Sequence, residues 1–350
     1  MVEHVTFGLS LNHRQNMFFN ARIKPILPGL MLTLLVAFVA KLAEHAEHVF
    51  MGRGWVESLV FAILIGVLVR SIFGLAPVFC AGVQFCAKTV LEVAIVLLGA
   101  SISAQAIGNA GGGLIAAIIA TVCISLFVSF HIGRALGLSK QLSMLVACGN
   151  SICGNSAIAA TAPVISAKSD DVAASIAFTA VLGVLFVFAL PLVHVALGLS
   201  PAQYGIFSGL TVYAVPQVLA ATAPAGALAV QVGTLVKLIR VLMLGPVIFT
   251  LALIGGRARE TKLPIAQVVP WFIIGFIVMM AFRSFGILPD IALAPMRTAS
   301  SFLTILAMAA LGLSVDIRSV MHVGGRVIAT AILSLLVLCT LGLLVLIILT

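Results

Sequence analysis

The sequence predicts an all-α polytopic membrane protein of about eleven transmembrane helices, with an inverted repeat and broken core helices, in a single transmembrane domain over residues 1–350. Three observations predict it. Hydrophobic residues make up 62% of the chain and charged residues 8%, with a mean hydropathy of +1.28, against roughly 45–50% apolar residues in a soluble domain. Apolar runs of about 20 residues, the length that crosses a hydrocarbon core of ~30 Å, recur from end to end. The basic residues of the connecting loops segregate by side, as the positive-inside rule requires.

In chain order the runs fall near 27–44, 56–73, 77–101, 112–135, 141–166, 171–197, 202–224, 228–255, 265–284, 291–315 and 324–350. The first has no removable-signal pattern ahead of it and reads as a permanent span. Alternating the loops between sides groups Arg14, Arg22, Lys24, Arg70, Arg134, Lys140, Arg257, Arg259, Lys262, Arg318 and Arg326 against Arg53, Lys168 and Arg283. This puts the N-terminus on the cytoplasmic side and the C-terminus on the far side. The formal charge of +9 therefore reports topology, and no nucleic-acid partner is implied. Cys80, Cys86, Cys123, Cys148, Cys153 and Cys339 lack Cys-x-x-Cys spacing. They read as small buried hydrophobes, with neither a disulfide framework nor a metal site.

The chain also repeats itself. At a constant offset of 213, Arg70-Ser71 matches Arg283-Ser284, Gly99 and Ser101 match Gly312 and Ser314, and Gly111, Gly112 and Ile115 match Gly324, Gly325 and Ile328. Segments of about 56–135 and 265–350 are thereby paired, and the seven-span offset makes them run in opposite directions. Inverted repeats characterise secondary transporters, which bind substrate near the midplane between the copies. A second echo, "AIAATAP" at 157–163 and "VLAATAP" at 218–224, links spans 5 and 7. Eleven spans make those two parallel, so they are inverted mates only if one is re-entrant; the alternative is that two Ala-rich membrane helices share five letters without ancestry.

Span 5, about 141–166, contains "CGNSICGNS". Gly149, Asn150, Gly154 and Asn155 disfavour a continuous helix, and Pro163 interrupts the ladder again. Irregular backbone persists at membrane depth only where protein buries it or it lines a watery cavity. A broken helix exposes an N-terminus that attracts an anion, and Asn150, Ser151, Gly154, Asn155 and Ser156 would bind substrate beside it. The alternative is close helix packing, which small residues also serve. Span 7, about 202–224, reads "GLTVYAVPQVLAATAP". There Pro216 removes a helix donor, with Gln217 and Tyr213 as polar contacts at a second break. The alternative is a proline kink with Gln217 bonded to a neighbouring helix.

Span 8 contains "LVKLIRVLMLGP", which puts Lys237 and Arg240 on one helix face. Lys237 lies ~14 Å into its span at 1.5 Å per residue, where a charge costs at least ~2.5 kcal/mol. Glu92 is the one acid well inside a span. Either it neutralises one of the cations in a structural pair, or a cation is left for an anionic substrate and Glu92 couples protons. Two cations against one acid favour the second arrangement. A weaker polar patch in span 10, Arg297, Thr298, Ser300 and Ser301, is a candidate crossing-helix site opposite span 5.

No Walker A, His-Glu-x-x-His or Gly-x-Ser-x-Gly pattern occurs in the chain. ATP hydrolysis, metalloprotease and lipase-like chemistry are thus unsupported, and the reading is a transporter, not an enzyme, with no cofactor. Its partners are a small inorganic or organic anion, a coupling H+ or Na+, the bilayer, and possible further copies of the chain. The rivals are a cation/proton antiporter and a channel-like or non-transporting membrane sensor.

The segments "NSICGNSAIAATAPVI", "SGLTVYAVPQVLAA", "KLIRVLMLGP" and "LAMAALGLSVDI" stand in order along the chain, which thereby resembles the YeiH-type family of bacterial inner-membrane proteins associated with sulfate export. The resemblance covers nearly the whole sequence. It implies a secondary exporter of sulfate, sulfite or a small organosulfonate. It also implies kinship with the sodium/proton antiporter and bile-acid sodium symporter superfamily, and with that a panel domain and a core domain with two broken, crossing helices. By that analogy spans 5 and 10 cross. This sequence departs from some relatives in carrying Tyr213 and Ala214 where they have a histidine and an acid, which puts proton coupling through span 7 in doubt.

Overall fold

A computed structural model describes residues 25–51, 57–101, 111–254, 270–315 and 324–349. Arg14, Arg22, Lys24, Arg53, Arg257, Arg259, Lys262 and Arg318 lie outside the described residues. No strand occurs among the described residues. The helices are α1 (Leu27–Met51), α2 (Ser58–Phe73), α3 (Pro77–Gly99, with a π turn at Cys86–Val90), α4 (Gly111–Ala135), α5 (Lys140–Cys148) and α6 (Asn155–Val164). There follow α7 (Ser169–Leu197), α8 (Pro201–Thr211), α9 (Val215–Thr222), α10 (Ala227–Leu242), α11 (Leu244–Ile254), α12 (Trp271–Ser284), α13 (Asp290–Ser314) and α14 (Gly325–Leu349). The helices α1, α3, α4, α7, the α10–α11 pair, α13 and α14 are long and apolar enough to cross a membrane, and α2 and α12 are shorter apolar helices. The chain is an all-α polytopic membrane protein.

Two of the eleven segments expected to be spans are hairpins of two short helices each. In the first, α5 continues through a π turn at Gly149–Cys153, the chain reverses at Gly154, and α6 returns. The reversal is read from the packing: Leu145 of α5 shares one apolar cluster with Ile158 and Ala162 of α6. In the second, α8 and α9 fold back so that Tyr204 Oη donates to the carbonyl of Ala221 at 2.7 Å, 17 residues later. Arms of about ten residues rise ~15 Å, half of a hydrocarbon core of ~30 Å. A hairpin of that length reaches the middle and no further.

Helix α7 is the rail on which both hairpins lie. Near its first end, Ser139 Oγ, at the base of the first hairpin, donates to Asp171 Oδ2 at 3.4 Å. Midway along it Thr179 meets Asn155, at the first tip. One turn further Gly183 lies against Gln217, at the second tip. Towards its far end His194 stacks on Tyr204 in the second base, with ring centroids 4.4 Å apart. The hairpins therefore enter from opposite ends of α7 and meet at its centre. Local sequence sets the ends of these elements: Ser139 caps α5, and Ser200 with Gln203 forms a capping box on α8 behind Pro201. Gly198, at φ +59, ends α7 in the left-handed conformation.

The mate of span 5 is span 7, and the expected crossing of spans 5 and 10 is not formed. Span 10 is the continuous helix α13, which packs on α2, α3 and α1. Its patch is used locally: Ser300 Oγ donates to the Ala94 carbonyl at 2.8 Å and Thr298 Oγ to Ala294 at 3.1 Å.

The 213-residue repeat has a packing counterpart. A Cβ on Gly99 would lie 2.5 Å from the Phe276 carbonyl oxygen, and a Cβ on Gly312 would lie 2.4 Å from that of Ile63. Both residues of the first pair become those of the second by the same offset, one forwards and one back. The segments α2–α4 and α12–α14 thus pack through glycines, Gly99 and Gly312, that bring backbones into contact.

Candidate functional site

The two tips touch. Gly154, at φ +66, is the turn between the first arms, and a Cβ there would lie 3.4 Å from Cβ of Tyr213 in the second tip. This places the first break at Gly154, five residues beyond Gly149. Gly149 instead lets the arms approach, since a Cβ there would sit 3.0 Å from Cδ1 of Ile158. Pro163 lies at the far end of the returning arm α6, away from the break. Pro216 stands in the first turn of α9, where its missing N–H leaves no bond unmade. It starts the returning arm, and the break lies before it at Val212–Ala214.

Each arm that ends at the junction leaves carbonyls without helical partners. Lys237 and Arg240 of α10, both 0% exposed, bind them. Lys237 Nζ donates to the carbonyls of Ile152 and Val212, each at 2.7 Å. Arg240 donates from Nε to Ser151 at 3.2 Å, from one terminal nitrogen to Gly209 at 2.9 Å and Val212 at 3.2 Å, and from the other to Asn150 at 3.1 Å and Ser151 at 2.9 Å. All five guanidinium N–H groups are thereby used. One face of one helix clasps the ends of both hairpins, and none of these bonds ends on a carboxylate. Glu92 does not approach either cation: its Oε2 accepts from Trp271 Nε1 at 2.8 Å, between α3 and α12. The structural ion pair weighed for Glu92 is therefore not formed.

On the other side of each break a returning helix begins. The first turn of α6 carries Asn155 and Ser156, both exposed. The first turn of α9 carries Gln217, 3% exposed, whose Oε1 accepts from the backbone N–H of Ala214 at 3.1 Å. Asn150 turns away from this side, and its Nδ2 donates to the Ala331 carbonyl of α14 at 3.1 Å. Asn150 Oδ1, Ser151 Oγ and Tyr213 Oη are buried without a hydrogen-bond partner.

The charge balance of the junction follows from these elements. Two arm C-termini contribute about −0.5 each and two returning N-termini about +0.5 each, so the helix ends cancel and the basic side chains Lys237 and Arg240 set the sign of the junction. Carbonyl dipoles solvate the cations without neutralising them. No Asp or Glu occurs between Glu92 and Asp170, or between Asp171 and Glu260, so neither hairpin nor α10 supplies a countercharge. The expected substrate-binding set is thus divided by the geometry. Asn155, Ser156 and Gln217 stand at the returning N-termini with Gly154 and Tyr213 at the turns, Lys237 and Arg240 lie behind them on the carbonyl ends, and Asn150 and Ser151 contribute backbone carbonyls to that clasp. Sequence reasoning missed Thr179 and Gly183 of α7, whose signal is a threonine and a glycine one turn apart in the apolar run "AFTAVLG".

Comparison with known proteins places the fold's owner among relatives. Residues 28–331 match the family described as "Conserved hypothetical protein 698". The chain is 58% identical over 316 residues to a UPF0324 membrane protein of Agrobacterium fabrum, covering 90% of this chain and 91% of the relative. It is 57% identical over 324 residues to one of Brucella suis, covering 92% and 96%. It is 36% identical over 322 residues to one of Bacillus cereus, covering 90% and 89%. No solved structure matches the chain.

Proposed function

We propose that this chain, which belongs to the UPF0324 membrane protein family, the YeiH-type family, is a secondary transporter of a small anion. Sulfate, sulfite or a small organosulfonate is the substrate, and export across the bacterial inner membrane is the direction. The observation that carries this reading is the tip-to-tip junction of two half-length hairpins, backed by two buried cations and no acid. Broken helices at mid-depth whose N-termini face a common point are how transporters hold anionic groups. A unit cation ~8 Å from a bound anion contributes ~2 kcal/mol at an effective dielectric of ~20, and two are present here.

The topology fits the same reading. Each hairpin returns to the side it came from, so Lys168 joins Lys140 on the basic side and leaves Arg53 and Arg283 opposite. The N-terminus is then cytoplasmic and the C-terminus external. Losing two crossings leaves the 213-residue copies an odd number of crossings apart and so still inverted. The hairpins, separated by α7 alone, become inverted too, which gives the Ala-Ala-Thr-Ala-Pro echo its meaning as a second internal repeat. A cation/proton antiporter would need carboxylates at the junction, which the sequence does not supply.

The reading is tested with purified protein in proteoliposomes, following radiolabelled sulfate and sulfite with and without a pH or sodium gradient. Saturable anion flux that responds to a gradient supports transport. Cation flux without anion flux, gradient-insensitive conductance, or no flux contradicts it.

A further inference from the structure

We infer that α7 fixes the hydrogen-bonding polarity of the junction, so that its ligand is one small oxyanion bridged between Asn155 Nδ2 and Gln217 Nε2. The inference rests on the anion-transport reading and names the atoms that would select the ion. A free amide side chain offers a carbonyl acceptor and an amino donor, and is indifferent to the sign of a ligand. Here each oxygen has a donor beside it. Gln217 Oε1 accepts from the Ala214 N–H at 3.1 Å, and since a backbone N–H only donates, the orientation of this amide is settled. Asn155 Oδ1 lies against Thr179 Oγ1, whose one proton is shared with the carbonyls of Ser175 at 3.2 Å and Ile176 at 3.0 Å. Among the described residues, neither the amino group of Gln217, a side chain 3% exposed, nor that of Asn155 has a hydrogen-bond partner.

Position 183 admits the second amide because it is glycine: a Cβ there would lie 2.3 Å from Gln217 Nε2 and 2.7 Å from Oε1. Thr179 and Gly183 are four residues apart on one face of α7, a rise of ~6 Å. Two amino groups so spaced, each reaching ~2.9 Å, meet two oxygens of a single small oxyanion. A cation placed there meets the two amino groups first, because the amide oxygens face the Ala214 N–H and the Thr179 hydroxyl. Thr179 and Gly183 are therefore positioning residues: they touch the amides, and the amides touch the ion.

The test uses reconstituted full-length protein and radiolabelled sulfate. Gln217→Glu replaces a donor by a carboxylate and is expected to raise KM about tenfold or more at neutral pH, with recovery as the pH falls and the new carboxyl regains a proton. Asn155→Asp is expected to behave alike. Thr179→Val, which frees the Asn155 amide to turn, is expected to raise KM while leaving the maximal rate per folded molecule. A merely structural role would lower the yield of folded protein without a pH-dependent KM, and melting temperature measured for each variant separates the two. Parent protein that transports sulfate, with KM unchanged in Gln217→Glu and Asn155→Asp, overturns the bridge and spares the transport reading. Parent protein that neither carries sulfate or sulfite nor gains thermal stability from them overturns both.

Discussion

Arg240 has five N–H donors and uses all of them on the ends of two hairpins. Hydrogen bonds from a charged donor contribute ~1.5–3 kcal/mol each, and buried acceptors left bare cost ~1–3 kcal/mol. Arg240→Ala is accordingly expected to cost more than ~4 kcal/mol, in the exceptional range for a point change. Arg240→Lys, which keeps the charge but loses the planar fork, falls between. Thermal unfolding in detergent reads both, and an Arg240→Ala protein as stable as the parent would remove the clasp from the account. Gly154→Ala forces a residue with a Cβ to φ +66 and is expected to cost ~1–3 kcal/mol by the same measurement. The depth and pairing of Lys237 and Arg240 were legible in their spacing, but their partners were not. Backbone carbonyls carry no residue letter, so a cation bound to them looks the same in sequence as one awaiting a ligand.

At the scale of the element, the hairpins decide the architecture. A run of 25 apolar residues with a break in its middle has the length of a span and also of two half-spans, and hydropathy does not distinguish them. What distinguishes them is contact between residues far apart in sequence, Leu145 with Ile158 and Tyr204 with Ala221. The consequence is testable by labelling. Single cysteines at Lys140 and Lys168, treated with membrane-impermeant thiol reagents and compared with the parent, are expected to react from the same side. Reaction from opposite sides would make residues 140–168 a full span and would dissolve the hairpin. In the sequence the break is spread over Gly149, Asn150, Gly154 and Asn155 with Pro163 beyond them, and in the structure the chain turns at Gly154. The φ of +66 that only Gly154 adopts there is a tertiary demand, set by the Tyr213 tip pressed against it.

For the whole molecule, the proposed pair of nested repeats would organise one junction. The outer pair, α2–α4 and α12–α14, was readable because its glycines mark backbone contacts that tolerate no side chain, and Gly99 against Phe276 mirrors Gly312 against Ile63. The inner pair presents its returning N-termini to a shared point on α7, with cations behind. Glu92, bonded to Trp271 in the outer group, is distant in role from that point, so the account expects Glu92→Gln to leave sulfate affinity unchanged. The central claim is that the junction binds and moves a small anion. The most direct measurement is radiolabelled sulfate and sulfite flux in proteoliposomes, parent against Gln217→Glu, under an imposed gradient. The account predicts saturable, gradient-responsive flux in the parent and a raised KM in the variant that recovers at low pH. Flux of cations alone, or no flux in the parent, would contradict it.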